Sequence, residues 1–106
     1  LVPTGIILDI DEGYCVKLHA RSGLSYKEGL VLKNGVGVID SDYVGELFVM
    51  LWNSNPYEWV DVCHGDRIAQ AEIVKCDYYG GKIPVTDIKP EKKTDRNGGF
   101  GSTGKN

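Results

Sequence analysis

Asp40 closes the apolar pair Val38-Ile39, which puts a carboxylate at the edge of a core, where such a group can act as a general base. Asp42 lies two residues on and shares that face only if a strand continues through Ser41. Just upstream, Gly35 and Gly37 flank Val36, the pattern of a hairpin whose backbone comes close to a ligand. Ala20-Arg21-Ser22-Gly23-Leu24 offers a guanidinium suited to bidentate phosphate or carboxylate contact, beside a hydroxyl and an approachable backbone. In Gly65-Asp66-Arg67-Ile68-Ala69-Gln70, Arg67 can pair with Asp66 or reach another carboxylate, and Gln70 can bond a phosphate or satisfy backbone. Taken singly, each stretch also has a bland reading as a turn or a strand end.

The glycine-rich end attracts two motif matches that fail. Gly99 to Gly104 fits G-x-G-x-x-G, but a charged stretch precedes it in place of a strand, and only two residues follow where a helix is needed. Gly99 to Lys105 approaches a P-loop, with Asn106 where a hydroxyl is required. What remains is a segment of backbone N–H groups, hydroxyls and cations suited to cradling phosphate, with one aromatic, Phe100, among the glycines. A plain solvated tail has no use for that ring. The three cysteines, Cys15, Cys63 and Cys76, form no C-x-x-C pair, and neither His19 nor His64 stands at metal-ligand spacing from them. They read as reduced, buried packing residues.

The elements that must position these groups read as strands. Gly5 to Ile10 is a β-branched run ending in the turn Asp11-Glu12-Gly13. Tyr14 to Ala20 alternates, with Cys15, Lys17 and His19 on one face and Tyr14, Val16 and Leu18 on the other. Glu46 to Trp52 is continuously apolar after its first residue, consistent with one strand buried on both faces. Asn53-Ser54-Asn55-Pro56 marks a turn before Tyr57 to Val62, and Arg67 to Cys76 alternates again. Helical periodicity is confined to one turn at most, Ser25 to Gly29. The fold class is therefore all-β, a sandwich or barrel of short strands. We expect a β domain over residues 1–88, then a linker and flexible arm over 89–106.

Composition narrows the classes further. With 106 residues, 42% apolar and 25% charged, the chain has material for one modest core. Its net charge of −3 argues against a nucleic-acid coat or a polybasic membrane anchor. The longest apolar run, Leu47 to Trp52, falls far short of the ~20 residues of a membrane span. No basic-then-apolar leader opens the sequence, so the expected setting is intracellular and reducing, cytoplasmic or nuclear, with a viral source compatible.

The order of the blocks is more specific than any one of them. ARSGL, then NGVGVIDSDYVGEL, then GDRIAQ, then RNGGFGSTG resembles the second to fifth motifs of the trimeric deoxyuridine triphosphate nucleotidohydrolases, the dUTPases, from about Pro3 onwards. The resemblance implies a jelly-roll β fold, a homotrimer with active sites shared between chains, and hydrolysis of dUTP to dUMP and pyrophosphate. That reaction limits uracil incorporation into DNA and supplies dUMP. It also implies Mg²⁺ held through the triphosphate and waters, with no direct protein ligand, and no nucleic-acid or membrane partner. Asp40 is similar to the family's water-activating carboxylate, and Tyr43 to the aromatic under deoxyribose that leaves no room for a 2′-hydroxyl. Asn34 and the backbone through Gly37, Val38 and Ile39 match the uracil-reading hairpin. Arg21, Ser22 and Gly23 match the phosphate motif, and Gln70 the fourth motif's phosphate contact. Phe100 resembles the tail aromatic that stacks on uracil. Arg96, Gly101, Ser102 and Thr103 fall where the tail holds the terminal phosphate.

The chain opens mid-pattern, without the A-G-x-D-L type segment that comes first in the family, as a fragment of a longer protein would. Arg96 stands one residue closer to Phe100 than in some members. A second reading compatible with the missing segment is a catalytically silent dUTPase-like protein that binds a nucleotide or a protein. A third is a dCTP deaminase of the same fold, which the GGFGSTG end disfavours.

Overall fold

Seven strands and one helix make up the computed structural model, which describes residues 1–76, 83–96 and 98–99. The strands are β1 (Val2–Ile7), β2 (Tyr14–His19), β3 (Leu30–Leu32), β4 (Gly37–Asp40), β5 (Glu46–Val49), β6 (Leu51–Asn53) and β7 (Gln70–Lys75). Helix α1 (Ser22–Glu28) lies between β2 and β3. All ladders are antiparallel: β4-β2-β7 form one sheet, β1 pairs with β5, and β3 with β6. No helix among the described residues is long and apolar enough to cross a membrane.

The alternation read in Tyr14 to His19 places Val16 and Leu18 in the core, beside Leu32, Ile39, Leu47 and Val49. Each such side chain contributes about 1.5–3 kcal/mol on burial, so this six-residue cluster is what the surrounding loops depend on. The Thr4 hydroxyl donates to the Leu47 carbonyl at 2.7 Å, fastening β1 over it.

Several sequence expectations need correction. Glu46 to Trp52 is not one strand buried on both faces: it breaks at Met50, pairing with β1 before the break and β3 after it. Leu47 and Val49 point inward, while Phe48, Met50 and Trp52 are exposed. The first strand begins at Val2 and ends at Ile7, not Ile10. Arg67 to Ala69 stays outside β7, whose residues are mostly exposed, and Tyr57 to Val62 forms no strand. Asn34 to Gly37 does not close a paired hairpin, because β3 and β4 ladder with different partners. Cys63 is exposed; only Cys15 is buried.

The helix is longer than the single turn expected and begins at Ser22. It buries no residue, so apolar periodicity could not reveal it. Its end is fixed instead by Gly29, whose φ of 70° is left-handed and whose N–H bonds back to the Leu24 and Ser25 carbonyls.

Candidate active site

Two clefts flank the core and share Leu18, Leu47 and Val49 in their walls. The first, about 200 Å³, is lined by Asn34, Gly37, Val38, Ile39 and Tyr43, all five of which the sequence nominates for the nucleoside end. The second, about 780 Å³, takes Arg21 and Gln70 from the phosphate-type residues, together with Arg67. One chain therefore keeps the two sets of residues in separate clefts.

Strand β4 supplies the wall of the first cleft. Its only ladder partner among the described residues is β2, so every second residue directs its N–H and C=O to the outer side. Gly37 and Ile39 are buried while Val38 and Asp40 face outward. Asp40 is thus exposed on the same face as Val38, at the end of the strand; its side chain is not part of the cleft wall. The Asp40 carbonyl accepts the Tyr43 N–H at 3.1 Å, closing the turn that brings the tyrosine back to the cleft. Asp42 is exposed within that turn.

Tyr43 is held in turn by its hydroxyl, which donates to the Glu46 carbonyl. Sequence reasoning passed over the residue that makes this possible. A Cβ on Gly45 would meet the Tyr43 hydroxyl oxygen at 2.9 Å and Cζ at 3.0 Å, closer than side chains pack. The signal was present as a glycine two residues after the aromatic, but only the folded turn shows that they touch.

In the second cleft the backbone carbonyls do the positioning. Arg21 Nη1 donates to the Arg67 carbonyl at 2.8 Å, and Gln70 Nε2 donates to the Ala20 carbonyl at 3.0 Å. These bonds bring ARSGL and GDRIAQ together. His19 Nε2 and Glu72 Oε1, 2.7 Å apart, add a cross-strand contact beside them. Arg67 does not pair with Asp66, whose Oδ2 instead accepts the Cys63 N–H at 2.8 Å. A guanidinium carries five donors, so Arg21 retains capacity for an anion after bonding Arg67; Gln70 likewise has a second amide hydrogen. Ser22 and Gly23 open helix α1, exposed and outside both clefts.

Arg96 is exposed, with its backbone N–H bonded to Thr94 Oγ1 at 3.2 Å. Phe100, Gly101, Ser102 and Thr103 lie outside the described residues. Among the described residues no three His, Cys, Asp or Glu side chains gather into a set that would hold a metal ion. Mg²⁺ ordinarily keeps waters and phosphate oxygens as ligands.

An antiparallel β-sandwich with paired surface clefts is the class that fold and site define. The dUTPase family profile matches residues 1–104. Deoxyuridine 5′-triphosphate nucleotidohydrolase of Finegoldia magna is 44% identical over 105 residues, covering 98% of this chain and 70% of its own. The enzyme of that name from fowlpox virus is 46% identical with the same coverages. Among solved structures, a mutant dUTPase of Staphylococcus bacteriophage 80alpha superposes with a TM-score of 0.62 at 23% identity, over 80% of this chain and 69% of that one. A mutant dUTPase of S. aureus phage phi11, which coordinates a structural Mg(II) ion, gives 0.52 at 27%, over 85% and 69%. The chain belongs to the dUTPase family, and its fold is the jelly roll of those enzymes.

Proposed function

We propose that this chain hydrolyses dUTP to dUMP and pyrophosphate at sites completed between copies of itself. The observation that carries the reading is a separation: Asn34, Gly37, Val38, Ile39 and Tyr43 open into one cleft of the chain, and the phosphate-type residues Arg21 and Gln70 into another. A single site that uses both then draws them from different chains, and a homotrimer supplies three such sites. The surface supports association as well. Ile7, Val44, Trp59 and Ile73 are 67%, 74%, 98% and 75% exposed, and apolar exposure on that scale is the mark of a covered interface.

In this reading the outer edge of β4 reads the base. Uracil presents an N–H donor between two carbonyl acceptors, the complement of a strand's own C=O and N–H groups. Cytosine reverses part of that pattern and would leave buried groups unpaired. Tyr43 packs against deoxyribose and excludes a 2′-hydroxyl. Arg21 and Gln70 position the phosphates, and the arm over residues 89–106, with Arg96 and Phe100, closes from another chain. Asp40 removes a proton from a water molecule that attacks the α-phosphorus, and pyrophosphate leaves. Positioning and charge neutralisation dominate such a transfer. The triphosphate enters as its magnesium complex, the ion being part of the substrate.

Gly45→Ala tests the placement of Tyr43. The new methyl group forces the ring outward and breaks its bond to the Glu46 carbonyl, without touching the core. We expect a fall in kcat/KM on the order of tenfold, carried mainly by KM, with reduced discrimination against UTP. Unchanged kinetics would show that the ring does not contact the sugar.

The reaction itself is tested by following pyrophosphate release with dUTP, dCTP and dTTP, with and without Mg²⁺. Release from dUTP alone, dependent on the ion, is expected. Ammonia from dCTP, or dUTP binding without turnover, would overturn the assignment in favour of a deaminase or a silent binder.

A further inference from the structure

Two thiols that the proposed reaction does not use lie side by side. Cys15 is buried in β2, and half-buried Cys76 follows the last residue of β7. Their Sγ atoms are 2.7 Å apart and unbonded. A disulfide bond is about 2.05 Å long, so the sulfurs need to move by well under an ångström to close one. The backbone already fixes their approach: Tyr14 pairs with Lys75 and Cys15 with Val74, and the Cys76 N–H donates to the Gly13 carbonyl at 2.7 Å. The third cysteine, Cys63, sits apart in the exposed turn before Asp66.

We propose that Cys15 and Cys76 are a reversible dithiol–disulfide pair, oxidised by small dialkyl disulfides of the glutathione type. Cys76 is the less buried residue of the two. The Cys15 thiol is pushed up from its ordinary pKa, first by its hydrogen bond with Cys76 and then by burial, which leaves the first attack to Cys76. The Cys76 thiolate attacks one sulfur of the reagent, whose S–S bond breaks, and the departing thiolate takes up the proton Cys76 gave. Cys15 then loses its proton and attacks the Cys76 sulfur of the mixed disulfide, and the second reagent thiol leaves with that proton. Two protein thiols have lost two electrons, and one external disulfide has become two thiols. The new bond staples the end of β7 to β2 at the residue whose partner across the other ladder is Asp40.

The test needs no assay of hydrolysis, so its outcome is separate from that of the proposed reaction. The native chain is incubated with oxidised glutathione, alkylated, and mapped by proteolysis and mass spectrometry without reduction. The expected result is a linked pair of peptides carrying Cys15 and Cys76, two hydrogens lighter than the sum of the reduced peptides. Alkylatable thiols should fall from the three present to one, and dithiothreitol should restore them. The same link should form in Cys63→Ser and be lost in Cys76→Ser. Three thiols still alkylated, a glutathione adduct that persists on Cys76, or a bond made through Cys63 would each overturn the proposal. If either variant fails to fold, the map of the native chain decides alone.

Discussion

Asp40→Asn is expected to leave a folded protein that binds dUTP and scarcely turns it over. The side chain is exposed at the end of β4, so replacing one oxygen by an amide group disturbs no core contact. What disappears is the group that takes a proton from the attacking water. A positioned general base is worth about 10²–10⁴-fold in rate, so kcat should fall by that factor while the affinity for dUTP changes by no more than a few-fold. Steady-state kinetics set beside equilibrium binding check it. An affinity loss as large as the rate loss would make Asp40 a binding residue.

Removing residues 96–106 is the second change with a large expected effect. The core cluster comes from Val16 to Val49, and among the described residues the partly buried ones packed on it reach no further than Ala69. The shortened chain should therefore keep its fold and its oligomeric state. It loses Arg96 and Phe100, and with them the arm that closes over the nucleotide. Closure that excludes bulk water and completes the site is here expected to be worth on the order of 100-fold in kcat/KM. Thermal unfolding and solution mass, measured beside kinetics, separate the cases. A product that unfolds would contradict the assignment of this segment as a flap.

The candidate site was legible to the extent that it is written in local blocks. Asn34, Gly37, Val38, Ile39 and Tyr43 lie within ten residues of one another, and a strand with its following turn brings all five to one cleft. Arg21 and Gln70 are far apart in sequence, yet ARSGL and GDRIAQ could be named because each carries its own residue pattern. Their mutual hydrogen bonds could not be foreseen, since each uses a backbone carbonyl that has no sequence signature. The helix was read too short for a related reason: it rests on the Gly29 cap and on Ser25, whose hydroxyl donates to the Leu30 carbonyl, not on an apolar stripe. Glu46 to Trp52 misled in the opposite way. Its outward residues Phe48, Met50 and Trp52 are as apolar as its inward ones, so the period of two was hidden.

The most direct test joins the two variants in one assembly. Asp40→Asn chains and chains lacking residues 96–106 are refolded together in equal amounts, and mixed assemblies are confirmed by mass. If carboxylate and arm reach a site from different chains, random mixing restores about a quarter of the native activity, because each of the two contributors is intact half the time. No recovery in confirmed mixed assemblies would contradict a shared site.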